Sequence, residues 1–293
     1  MMFPLFRRGP TIGEWRAAYL GYAQRFGGTS QQGKARAFRR LASSVSDKTS
    51  TKKLTKSAVL ALLQQVARDT TGGAANETAK HLRAAWSWGE LCLGLPANPF
   101  AGISKQPHDE HPRYVPPVTD FGAVLAVAES LKDRTMLVLA LHTAARRGEI
   151  FRLRWEDVDF DRGMIQFGTR KRAGGGMQYD WIAMSDALAG ILAEYRAMTD
   201  GYGLVFTAPG GREYKTRSTW LRKLCHDAGV RRFGFHGLRH LSASLMAEAG
   251  LSIPTIQSVL RHRNPQTTSI YLHKIGSVRE KLDRAFAVAG GMP

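Results

Sequence analysis

Only two cysteines occur in 293 residues, Cys92 and Cys225, far apart and in no metal-ligand spacing. Their scarcity excludes a disulfide framework and a cysteine zinc site, and it points to a reduced, intracellular setting. No apolar run approaches the roughly 18 residues that a membrane-spanning helix needs, so no membrane partner is expected. The opening MMFPLFRRGP is too short for a secretory leader and is interrupted by Pro4 and Pro10. Internal repeats and low-complexity tracts are lacking, which excludes solenoid architectures. Acidic residues are few: 24 Asp and Glu stand against 42 Lys and Arg, for a net charge of +18. The excess is +9 over residues 1–110 and +9 over 111–293. Charge shared this evenly suggests two basic units around a polyanion, with general solubility as the plainer reading.

What is present is a long chain with 43% hydrophobic residues, enough for two cored domains. Residues 1–10 form a tail. Residues 11–105 read as all helical. Ile12, Trp15, Tyr19 and Tyr22 mark a first helix, Gln32–Ala42 a second, and Thr55–Ala67 a third. Asn76 is expected to cap a fourth that carries Leu82, Trp86 and Trp88. Lys34, Arg36, Arg39, Arg40, Lys80 and Arg83 on these helices are candidate phosphate contacts, or simply solvated faces. Four prolines between Gln106 and Pro117 indicate a linker, and residues 118–293 form the second unit. There, Phe121–Leu131 and the very apolar Asp133–His142 are expected helices. Met164–Gly168 and Tyr179–Met184 read as a hairpin around Gly174–Gly176. The fold class expected is mainly α with a small antiparallel β-sheet.

Chemistry concentrates between His236 and Tyr271. HGLRH opens a helix whose apolar stripe is Leu238, Leu241, Leu245 and Ala249, with His236 and Arg239 close together off that stripe. Ser252 then caps a helix with Pro254 in its first turn, ending near Arg261–His262. Asn264 and Pro265 open another, with Tyr271 about two turns in. Two imidazoles, a guanidinium and a phenol suit attack on a phosphodiester. Farther up the chain, Arg146 sits at the polar end of the buried helix, where Glu149 can orient it by a charge-assisted pair.

Thr143–Glu149, Lys171 on a glycine-rich hairpin, HGLRH and LRHRNPQTTSIY resemble, in that order, the tyrosine recombinase (phage integrase) family. The helical first unit resembles that family's core-binding domain, of SAM-like fold, so the likeness spans nearly the whole chain. It implies that Arg146 and Arg239 clamp the scissile phosphate and that Tyr271 attacks phosphorus to give a 3′-phosphotyrosyl link. Lys171 would protonate the leaving 5′-oxygen, His236 would move protons, His262 would hydrogen-bond the phosphate, and Glu149 would hold Arg146. No metal, ATP or other cofactor is implied. The implied partners are double-stranded DNA with specific core sites and, on synapsed DNA, a homotetramer formed from free monomers or dimers. A directionality factor is a further candidate, and the implied location is cytoplasmic, at the nucleoid. Val278, Leu282, Ala285, Phe286 and Ala289 share a helical face, and the resemblance makes residues 277–293 an exchange helix that docks on a neighbouring subunit. Packing on its own domain is the alternative.

Two positions depart from the family pattern. Ala144 stands where glycine usually follows Thr143, and the turn is expected not to demand positive φ. Arg261 replaces the glycine before the second histidine, where it adds a phosphate contact or points to solvent. Three other readings exist. A zinc hydrolase using His236 and His240 lacks the glutamate that such a motif needs, since Gly237 follows His236. A DNA-binding protein without catalysis explains the charge but not the convergent reactive groups. A type IB topoisomerase shares the chemistry, but the two-unit layout favours recombination.

Overall fold

The computed structural model describes residues 9–25, 28–109, 114–170 and 176–261, and the chain divides into two units, 1–111 and 112–293. In the first unit α1 (Ile12–Ala23), α2 (Gly28–Ala42), α3 (Lys56–Asp69) and α4 (Gly72–Leu93) surround one core. Thr11 and Glu14 start α1 with a reciprocal capping box, and Thr55 caps α3. The core centres on Trp15, whose ring meets Phe38 and Trp86 edge-on at 4.8 and 4.9 Å. Its indole N–H donates to the Ala85 carbonyl at 3.1 Å, so the buried polar atom is satisfied. Asn76 does not cap α4; Thr71 does, one turn earlier. The Asn76 amide instead donates to the Gln106 carbonyl at 2.9 Å and accepts from the Gln106 N–H at 2.7 Å. That side chain thus pins the stretch after the helices back onto α4.

The second unit runs α5 (Val118–Ala126), α6 (Leu131–Thr143) and α7 (Arg147–Arg152), then β1 (Val158–Asp159), β2 (Met164–Arg170) and β3 (Met177–Ala183). After the sheet come α8 (Asp186–Ala197), α9 (Ser218–Asp227), α10 (Phe235–Glu248) and α11 (Ile253–Leu260). The expected fold class is borne out: mostly helix, with a three-stranded antiparallel sheet in the order β1-β2-β3. Leu131 opens α6 rather than closing α5, because Ser130 caps the later helix through the Asp133 N–H. Met136 to Leu141 are all buried, so α6 is the central helix, packed by α7, α8 and α10. On β2 the inward positions are Ile165, Phe167 and Thr169, alternating as a half-buried strand must. The first two are core. The third is polar, and it faces the site.

Candidate active site

The ends of α6 and α11 and the starts of α7, α9 and α10 supply the site in the second unit. Arg146 precedes α7 and has an extended backbone (φ −70°, ψ 145°). Glu149, one turn on and 3% exposed, accepts the Arg146 backbone N–H at 2.8 Å and its Nη1 at 2.9 Å. Both the main chain and the fork of Arg146 are therefore set by one carboxylate. The Thr169 hydroxyl donates to the same carboxylate at 2.5 Å and the Arg261 Nη2 at 2.7 Å. Burial opposes ionisation of Glu149, but Arg261, Thr169 and the two Arg146 donors outweigh it and hold its pKa at about 2.

Arg239 lies one turn into α10 and is 2% exposed. Its Nη1 donates to the Ala144 carbonyl at the end of α6, and its Nη2 donates to the Leu260 carbonyl at the end of α11. A cation at two helix C-termini is favoured by both dipoles, and it satisfies carbonyls that a helix leaves unpaired. Ala144 closes α6 with φ 49° and Arg261 closes α11 with φ 52°. The expectation for Ala144 is therefore corrected: the turn does take the left-handed conformation. Its methyl is fully buried against Ala243, Ala247, Ile256 and Leu260, which offsets the strain. Arg261 points neither to solvent nor to an open phosphate site. Its side chain is 1% exposed and committed to Glu149, because the left-handed turn directs it inward.

Arg146, Arg147, Ser218, Arg232, His236 and Arg239 line an open cleft of about 690 Å³, and among the described residues no carboxylate lines it. The starts of α9 and α10 open into it, so their amide ends add to the positive potential of the arginines. Exposed His236 stands at the entrance, its ring 4.4 Å from that of buried His240. Gly237 lets α10 begin close to the chain beside it, since a Cβ there would meet Phe233 at 3.3 Å and Pro116 at 3.4 Å. Arg147 and Arg232 were not singled out from the sequence. Arg147 adjoins Arg146, and Arg232 sits four residues before His236, so a run of cations flanking each motif was the available signal. Lys171, His262 and Tyr271, with residues 277–293, lie outside the described residues.

The cations chosen in the first unit differ in availability. Arg40 donates to the Ala74 carbonyl at 2.9 Å and to Thr78 at 2.8 Å, and Arg83 donates to the Phe100 carbonyl at 2.9 Å. Both tie backbone together. The Lys34 amine, 2.6 Å from Ser30, is largely buried, and burial lowers its pKa. Arg36, Arg39 and Lys80 are exposed, and Lys80 pairs loosely with Glu77 at 3.2 Å.

Known proteins resemble this chain in sequence and in fold. A tyrosine recombinase of Thermosipho africanus is 26% identical over 70% of this chain and 75% of its own length. Tyrosine recombinase XerA of Thermococcus kodakarensis is 32% identical over 48% of this chain and 50% of its own length. XerC of Xanthomonas axonopodis is 28% identical over 55% of each. Apart from the first, the chain spans about half the length of these relatives. Among solved structures, a Tn1549 transposon integrase in complex with a circular intermediate DNA superposes with a TM-score of 0.75. It covers 94% of this chain and 100% of that one at 16% identity. A lambda integrase tetramer bound to a Holliday junction gives 0.71, with 90% and 78% covered and 16% identity. These last two establish likeness of fold. Residues 120–276, more than half of the sequence and running from within α5 past Tyr271, match the phage integrase family, and the chain belongs to that family of tyrosine recombinases.

Proposed function

We propose that the protein cuts and rejoins duplex DNA at specific sites through a covalent tyrosine intermediate. The observation that carries this reading is the cleft in which Arg146 and Arg239, far apart in sequence, lie with His236. Planar guanidiniums bind the non-bridging oxygens of a phosphate better than point charges do, and they stabilise the charge that builds up at phosphorus. The Tyr271 phenol attacks phosphorus as the bond to the 5′-oxygen breaks. Lys171 supplies the proton that the 5′-oxygen takes up, and His236 assists proton transfer in attack and resealing. His262 hydrogen-bonds the phosphate. The 5′-hydroxyl of a partner strand then displaces the phenol, so the phosphotyrosine keeps the bond energy and no ATP is consumed. Fixed cations neutralise charge, which leaves no step that calls for a metal.

Duplex DNA with core sites is the substrate in this reading, with four copies of the chain assembled on two synapsed duplexes. A directionality factor would bias integration against excision. The relatives named above, recombinases by name, and the DNA-bound state of the solved integrases support the substrate class. The test is covalent capture. The protein is incubated with nicked duplexes tiling the DNA around its own coding sequence, denatured, and scanned for DNA that stays attached. An adduct is expected with the wild type and in EDTA. Tyr271→Phe should bind the captured duplex with near-normal affinity and form none. An adduct that survives Tyr271→Phe removes Tyr271 as nucleophile, and strong EDTA inhibition returns the reaction to metal chemistry.

A further inference from the structure

Position 261 combines a backbone cost with a buried charge. Arg261 ends α11 at φ 52° and ψ 43°, a conformation that a residue with a Cβ adopts only when its surroundings hold it there. Its side chain is 1% exposed, and burial pushes the guanidinium pKa down. Arginine stays charged even so. An ion buried this far is strongly destabilising unless paired, and its partner is the carboxylate that holds Arg146.

The Glu149 carboxylate joins three side chains. Glu149 Oε1 accepts from Arg146 Nη1 at 2.9 Å and from Thr169 at 2.5 Å. Glu149 Oε2 accepts from the Arg146 backbone at 2.8 Å and from Arg261 Nη2 at 2.7 Å. Arg261 Nη1 also donates to the Val259 carbonyl at 3.2 Å, and its guanidinium lies 4.9 Å from the centre of the Phe167 ring. In return the Arg261 carbonyl accepts from Arg146 Nη2 at 3.5 Å. Arg261 thus touches Arg146 by two routes, through the shared carboxylate and through its own main chain. The division of labour follows from exposure: 1% for the Arg261 side chain against 38% for that of Arg146. The inner cation anchors the carboxylate, and the outer one faces the cleft.

We propose that Arg261 is a positioning residue for Arg146: by locking Glu149 it fixes the Arg146 fork and the end of α11, which leads directly into His262. Arg261 itself does not contact the phosphate, since reaching one would strip Glu149 of its buried counter-ion. The inference deepens the recombinase reading and rests on it for the role of Arg146.

The test uses the full chain and the duplex recovered by covalent capture. Arg261→Met keeps the length of the side chain and removes its charge. Single-turnover adduct formation should slow by on the order of ten- to a hundredfold while half-site affinity stays within about threefold. Arg261→Lys should recover part of the rate, and Arg261→Met should add no further loss in a Glu149→Gln background. Arg261→Gly, which removes the left-handed strain along with the charge, serves if Arg261→Met fails to fold, and the same slowing is expected of it. Equal losses of affinity and rate would make Arg261 a phosphate ligand, and an undiminished rate or additive losses in the double variant would end the proposal. If the wild type captures no duplex, the recombinase reading fails, and Arg261 is then judged without DNA. In that case nitrogen NMR of the arginine side chains, with Arg146 assigned by Arg146→Lys, decides. Restricted Arg146 Nη rotation that Arg261→Met leaves untouched would overturn the positioning role.

Discussion

At the scale of single residues, stability at the site depends on one carboxylate and one methyl. The folded pKa of Glu149, about 2, lies below the 4.5 of the free side chain. Its contribution is therefore complete above about pH 4.5 and disappears as pH falls toward about 2, amounting to roughly 3 kcal/mol. Glu149→Gln should lack that acid-sensitive component. It should also unfold more easily at about neutral pH, by roughly 3 kcal/mol or more, because Arg261 keeps a buried charge without the carboxylate that hydrogen-bonds it. Urea titrations of both proteins near neutrality and near pH 3 measure this. Identical acid losses in the two would mean that the pair is not formed in solution. For Ala144, relief of left-handed strain in Ala144→Gly competes with loss of a fully buried methyl, each worth about 1 kcal/mol. The net change should stay within about 1 kcal/mol, whereas Ala144→Val, branched at a positive φ and in a filled space, should cost more than about 2 kcal/mol. A stable Ala144→Val would show that the turn can change hand.

At the scale of elements, Lys171 follows β2 directly in sequence, and the proposed reaction makes it the acid. Lys171→Ala should slow cleavage strongly on an ordinary 5′-oxygen leaving group. A 5′-bridging phosphorothiolate leaves without a proton and should largely restore the rate. If the modified duplex reacts no faster in the variant, Lys171 is not the acid. How far these elements could be read beforehand depended on how local their causes are. The Ser252–Pro254 start is written in neighbouring residues, and α11 begins where that signal places it. Asn76 carried the same kind of signal but is spent on Gln106, a partner thirty residues away. Helices α8 and α9 were not anticipated, although Ser185 caps α8 and Leu188, Leu192 and Tyr195 recur at helical spacing. The facing of His236 and Arg239 followed from helical spacing alone. What Arg239 does between two helix ends, and what Arg261 does beneath Arg146, could not be read, because both depend on where separate segments meet.

At the scale of the whole molecule, an excess of +9 on each half predicts DNA affinity that falls steeply with salt. Assembly is a separate property. Val278, Leu282 and Phe286, outside the described residues, recur in the sequence at helical spacing, and a helix with such a stripe buries it somewhere. A chain ending after Ser277 should still bind one half-site yet fail to hold two duplexes together, so that complete recombination is lost. Single-molecule tethering run beside a thermal melt separates the outcomes. A truncated protein that melts far lower and also loses half-site binding would assign the segment to its own core.

The bond between positions 149 and 261 also sets an order in which this chain could drift. Losing Arg261 to glycine first slows cleavage but relieves a strained turn and leaves Glu149 with Thr169 and Arg146 as partners. Losing Glu149 first strands a cation in the interior, a far steeper step. Descendants that part with this pair should therefore give up the arginine before the glutamate, and the path is close to one-way.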